Sequence, residues 1–288
     1  MNRKLIITAD DYGLCGSVNR AIEECFRAGA VRSTCVMTNM PACEDAASLR
    51  KSFPGFSVGI HWNLTQGKPL LEPRQVPTLV GENGNFQTAS QLRQRWLLRR
   101  VNIAEIAHEL RAQFRQFRAL AGRPDFWNTH QNVHVFPGLF DLFVSMGREL
   151  GIPAMRSHRR LTIPYQGSSA THSLQHPLYW LKGLVIARWS DQAESMGVQM
   201  PDGRLYTPGY NGKGTASILK SIQRLDWHRV RKPVEIVMHP ATAIEPELFG
   251  SLIDSRVMEY KALTDPALLT QLRGEGVDLV GFEALNFH

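Results

Sequence analysis

Short apolar, β-branched runs alternate with segments of helical spacing along the 288 residues of this chain. That alternation constrains its architecture more than any other feature. Residues 4–9, 33–37, 56–61, 126–128, 154–156, 234–238 and 277–280 read as strands. Helical spacing covers 18–28, 46–51, 105–120, 138–150 and 268–273, with Ser17 as an N-cap and Gly29 just past the end of the first helix. Residues 67–85, rich in Pro and Gly, read as a long loop. Strands separated by helices run parallel, because the chain must cross back over the sheet before the next strand begins. An α/β architecture of about six to eight mainly parallel strands follows; a closed or partly open (β/α) barrel fits it, and so does a doubly wound sheet. In each, chemistry gathers at the C-terminal ends of the strands.

A hydrophobic content of 43% against 20% charged residues describes a soluble globular protein with a sizeable core. No apolar run reaches the roughly 18 residues needed to span a bilayer. The N-terminus enters a strand without a signal-peptide pattern. Cys15, Cys25, Cys35 and Cys43 form no CxxC pair and read as reduced core thiols, which points to the cytoplasm. The net charge of +7 favours anionic partners in general. Without an aromatic-interleaved basic repeat or zinc-finger spacing, nucleic acid is not an expected partner.

The strand-end rule isolates a small set of side chains. Asp10 and Asp11 close the first strand, His61 the third, and His239 the one at 234–238; His130 and His134 follow the strand at 126–128. One such coincidence means little, but four strand ends carrying Asp or His on one rim are harder to dismiss. Asp with two imidazoles makes an N/O ligand set for one divalent metal with positions left open for water. The second carboxylate is then free to act as a base, which gives the adjacent pair Asp10-Asp11 a division of labour. If their segment is extended, His130 and His134 stand about 13 Å apart at roughly 3.3 Å per residue, so both reach one metal only where the chain curls.

The stretches "TADDYG", "GIHWNLT", "THQNVHVFP" and "MHPA" together resemble the four motifs of the YdjC-like carbohydrate deacetylases, the family of chitooligosaccharide deacetylase and its hopanoid-associated relatives. The resemblance runs in order from Asp10 to about Pro240. It implies a distorted (β/α) barrel of the polysaccharide-deacetylase type, one domain over 1–288 with an insertion around 161–215, and hydrolysis of the N-acetyl group of an amino sugar. It further implies Asp11, His61 and His130 as metal ligands, Asp10 as general base and His239 as the acid that protonates the leaving amine. Zinc is the ion favoured by two imidazoles, with magnesium as the alternative.

The third motif departs from the family pattern, which usually reads close to "DSHHHVH". Asn128 stands where Asp is usual, and Gln131-Asn132 replace two histidines. Asn still accepts a hydrogen bond from an imidazole, so the expectation is a tuned site rather than a dead one. A non-catalytic sugar-binding protein is the rival of another class. Trp62, beside a ligand, is expected to stack on a sugar ring; His134 is divided between supporting a ligand and packing at a helix start. Arg156 meets a phosphate or carboxylate or simply forms basic surface, and His158 reads as solvated. The apolar stretch 178–189, with Trp180 and Trp189, reads as a buried helix under the insertion. Its alternative is an apolar lip for a lipid-linked substrate or a peripheral membrane contact. A homodimer is left open.

Overall fold

A computed structural model describes residues 3–159, 161, 177–205, 214–249 and 252–285. Seven strands appear among them: β1 (Arg3–Tyr12), β2 (Ser33–Val36), β3 (Ser57–Trp62), β4 (Phe126–Thr129), β5 (Ala154–Met155), β6 (Val234–Met238) and β7 (Val277–Val280). All the strand pairings are parallel, in the order β5-β4-β3-β2-β1-β6, with β7 on β1. Leu5 and Ile6 pair with β6 and β7 at once, so these two strands lie on opposite edges of β1, and β7 shares its edge with β2. The sheet then curls back on itself. Gln199 bridges to Ala154 of β5 and Arg204 bridges to Glu235 of β6, so one short extended segment joins the two outer strands. This is the distorted barrel expected, and the closing segment falls within the 161–215 span read as an insertion.

Helices cover the outside of the sheet. They are α1 (Gly16–Ala28), α2 (Ala46–Ser52), α3 (Ala89–Leu97), α4 (Ile103–Ala121), α5 (Phe140–Glu149), α6 (Pro177–Ser195), α7 (Thr215–Gln223), α8 (Pro246–Phe249), α9 (Ile253–Thr264) and α10 (Pro266–Gly274). β1 is buried along nearly its whole length, as the run of Leu5, Ile6, Ile7 and Ala9 requires of a central strand covered on both faces. Ser17 does not cap α1; Cys15 holds the N-cap position, and the Ser17 hydroxyl instead donates to Glu245. The loop at 67–85 is tied down by α4: the Glu109 carboxylate accepts the amides of Leu70 and Leu71, and Glu105 accepts that of Thr78. α3, which follows that loop, has little apolar periodicity, yet a Thr88–Gln91 capping box starts it.

The reading of 178–189 as a buried helix needs correction. α6 buries Ile186, Ser190 and Ala193, and Trp189 stacks on Phe140 at 5.2 Å, but Leu181 and Leu184 are about half exposed. No helix of the described residues is long and apolar enough to cross a membrane.

Candidate metal centre

Asp10 and Asp11 share one pocket because β1 bulges there. Ala9 pairs with Thr34 and Tyr12 with Val36, so β1 carries one more residue than β2 between the two pairs. Asp11 absorbs the extra residue with a positive φ of 71°. On a regular strand the two side chains would face opposite sides; the bulge re-aims one of them. Gly13 completes the turn at φ 95°, where a Cβ would stand 2.8 Å from the Met37 carbonyl oxygen. Each carboxylate has its own arginine. Arg156, just past β5, donates from Nη1 and Nη2 to the two oxygens of Asp10 at 2.6 and 2.7 Å, and reaches Glu235 of β6 at 3.0 Å. Arg256 of α9 donates from Nη2 to Asp11 Oδ2 at 2.5 Å. Burial, the largest single effect, pushes both carboxyls up, but Arg156 with His61 and His239 together outweigh it at Asp10, and Arg256 with His130 and His61 do so at Asp11. Both groups are therefore held well below the ordinary carboxylate range.

The opposite oxygen of Asp11 meets two imidazoles. Oδ1 lies 3.1 Å from His61 Nε2 and 3.1 Å from His130 Nδ1, and the two ring nitrogens are 3.3 Å apart. His61 ends β3; His130 follows β4 and is held by a turn in which Gln131 and Asn132 take positive φ values of 51° and 55°. All three side chains are buried. Burial lowers the affinity of His61 for a second proton, but its hydrogen bond to Asp11 and the charges of both aspartates outweigh that and raise it. Donor atoms about 2.0–2.1 Å from a tetrahedral ion stand about 3.3–3.4 Å apart, close to the edges of this triangle. The donor set fits a divalent metal, and His130 Nε2 is buried without a hydrogen-bond partner. Asp10, Cys35 and His61 form a second grouping with metal-ligand spacing, on the other side of the same imidazole. Arg156 already occupies both oxygens of that Asp10, which disfavours a cation there.

His239, after β6, lies beside this cluster with Nε2 3.9 Å from Asp10 Oδ2, and its amide is held by Glu259 of α9. Asn128 touches His61 Nδ1 at 2.5 Å and lies within reach of Arg156. Trp62, Arg156 and His158 fall elsewhere than expected, and His134 takes the second of its two expected places, packing at the start of α5. Trp62 is fully buried between Trp127 and Phe143, its indole nitrogen donating to the Leu110 carbonyl, so it offers no face to a sugar. His134 points away from the triangle into an aromatic cluster with Trp127, Phe140 and Phe143, and Thr129 Oγ1 sits 2.6 Å from its Nδ1. Arg156 is not surface: it is 2% exposed, and the carboxylates it meets are the protein's own. His158 is not freely solvated either, since its ring packs edge-on against His134 at 4.6 Å.

Sequence reasoning passed over Cys35, Glu235 and Arg256. Cys35 is a core thiol, as the other three cysteines are, but its Sγ sits 3.1 Å from both Asp10 Oδ1 and His61 Nδ1. Its position near the end of β2 was the available signal. Glu235 was marked too, as the one charge in the apolar strand "VEIVM". Arg256 carried no signal: it lies on a helix of mixed composition far along the chain.

The chain is 30% identical over 285 residues, 98% of each sequence, to a carbohydrate deacetylase of Geobacillus stearothermophilus. It is 30% identical over 290 residues to a chitooligosaccharide deacetylase of Yersinia pestis (strain Pestoides F), covering 98% of this chain and 99% of the relative. A crystal structure from Enterococcus faecalis V583, provisionally described as a cellobiose-phosphate cleavage protein, superposes over the whole of both chains with a TM-score of 0.79 at 26% identity. The family model for YdjC-like protein matches residues 4–274, and the chain therefore belongs to the YdjC-like family.

Proposed function

We propose that the chain is a metal-dependent carbohydrate N-deacetylase, cleaving the acetamido group of an amino sugar to acetate and the free amine. The observation that carries this reading is the triangle of Asp11, His61 and His130, set at strand ends with Asp10 and His239 beside it. Asp11, His61 and His130 would hold a divalent ion, zinc by preference, whose chemistry there would be polarisation of the amide carbonyl and a more acidic attacking water. The remaining work falls to the protein. Arg156 keeps Asp10 ionised, so the carboxylate is always available to accept a proton from the water. The same arginine makes Asp10 a weak base, so the proton is better passed on than stored. His239 stands 3.9 Å from the Asp10 carboxylate, a separation one small movement closes, and carries the proton to the departing nitrogen. Arg256 fixes the Asp11 carboxylate so that one oxygen faces the imidazoles.

Elemental analysis of the purified protein, combined with acetate release from N-acetylated chitobiose, tests the proposal. His130→Ala is expected to lose the metal and the activity, whereas His134→Ala, altering a core side chain, keeps most of both. A well-folded, metal-loaded protein that releases acetate from no N-acetylated sugar would sink the catalytic reading and leave the sugar-binding one.

A further inference from the structure

Asn128 has one amide oxygen and two claimants for it. One end of the amide lies 2.5 Å from His61 Nδ1. The other lies 2.9 Å from both Nη1 and Nη2 of Arg156, whose guanidinium has donors only. With the oxygen toward Arg156, both guanidinium contacts are satisfied and the amide nitrogen donates to His61 Nδ1. In a neutral ring the hydrogen then sits on Nε2 and points at Asp11 Oδ1, 3.1 Å away. With the oxygen toward His61, Nδ1–H finds its acceptor and Nε2 is left with a lone pair. The amide NH2 must then face the guanidinium donors, and its nearest acceptors, Asp10 Oδ1 and Cys35 Sγ, are each 3.4 Å away. Cys35 does not relieve the conflict. Its sulfur, 3.1 Å from Nδ1, is a weak acceptor, and its own hydrogen has Asp10 Oδ1 at 3.1 Å.

Only the second arrangement presents the Nε2 lone pair to a cation. We propose that Asn128 is a positioning residue that holds the metal-free site in the first arrangement. Loading the ion then requires the amide to turn over and the His61 hydrogen to move from Nε2 to Nδ1. A carboxylate at position 128 accepts from both claimants and removes the conflict. The proposal rests on Asp11, His61 and His130 being the metal ligands.

The test uses the full chain. Zn2+ affinity is measured by competition with a chromophoric chelator for the unaltered protein, Asn128→Asp and His130→Ala. The ring nitrogens of His61 are followed by 15N NMR in metal-free samples, at a pH where their own shifts report a neutral ring. The expected result is a metal-free His61 protonated at Nε2 in the unaltered protein and at Nδ1 in Asn128→Asp. Zn2+ binding is expected to be about 10–100-fold tighter in Asn128→Asp. A hydrogen already on Nδ1 in the unaltered protein overturns the proposal, and any tightening in the variant is then an effect of its added charge. Unchanged affinity in Asn128→Asp overturns it as well. Both results leave the ligand assignment standing as long as His130→Ala loses the ion; equal binding by His130→Ala and the unaltered protein overturns the assignment itself. Should Asn128→Asp fail to fold, the tautomer measured in the unaltered protein still decides.

Discussion

Arg156 and Arg256 are what allow two adjacent aspartates to be buried together. Each cancels one charge, and Asp11 keeps one oxygen facing the imidazoles. The aspartates and histidines were legible in the sequence because the strand-end rule selects residues by position, and Asp10, Asp11, His61, His130 and His239 all satisfy it. Of the arginines, Arg156 was named as a partner for a phosphate or carboxylate without its internal partner Asp10, and Arg256 was not named at all, because a buried cation leaves no periodic trace: Arg256 looks like any other basic residue on a helix. Trp62 shows the opposite error, since adjacency in sequence to a ligand places the next side chain on the other face of the strand. His134 carries a prediction at this scale. Burial, aided by the charges of Arg156 and His61, pushes its pKa down to about 3. The unfolded chain binds a proton at this histidine near pH 6.5 and the native protein does not, so the unfolded state gains protons first as the pH falls. Its contribution to stability is whole above about pH 6.5 and is lost progressively toward about pH 3. Urea unfolding of His134→Asn is therefore expected to depend less steeply on pH between 6.5 and 4 than that of the unaltered chain. Equal slopes would show that the ring is charged in the native state.

The bulge in β1 is the element on which the centre depends. It brings Asp10 and Asp11 into one pocket at the cost of a left-handed residue, and Gly13 makes the tight return against Met37. Gly13→Ala sets a Cβ against a carbonyl oxygen in a conformation alanine resists. We expect a loss of about 1–3 kcal/mol in stability, read from chemical unfolding. Metal affinity should fall with it, because the same turn aims Asp11. A variant as stable as the parent would mean that the turn relaxes without strain. Periodicity found the strands and several of the helices, including the β-branched β6 and the amphipathic α4. It missed α7, α8 and the 12-residue α9, and it missed α3, whose capping box was visible at Thr88 and Gln91 but whose face is mostly polar. It also read the first helix as starting from Ser17, whose hydroxyl is in fact drawn to Glu245, 228 residues further on. That error came from a tertiary contact, which local sequence cannot report.

Across the molecule, Arg156 is the tie between strands far apart in sequence, joining β5 to Asp10 of β1 and Glu235 of β6. Arg156→Met leaves two buried carboxylates without their cation. The expected cost is about 3–5 kcal/mol in thermal or chemical unfolding, well beyond that of removing an exposed arginine such as Arg229. A cost under about 1 kcal/mol would mean that Glu235 and Asp10 find other partners or take up protons. The alternation of strands and helices made the parallel sheet legible, but the barrel followed from the motif resemblance and not from periodicity, because the joining segment between β5 and β6 is short and irregular and lies in a stretch without periodic signal. The order of the strands has a further consequence, in time. β1 is made first, yet Leu5 and Ile6 have their neighbours at Val234, Glu235, Leu279 and Val280. On the ribosome the N-terminal half of β1 waits for β6 and β7 until nearly all the rest has emerged, although β2 is on hand early for its C-terminal half. An aggregation-prone nascent chain is the biosynthetic counterpart of a central strand whose neighbours lie far along the polypeptide.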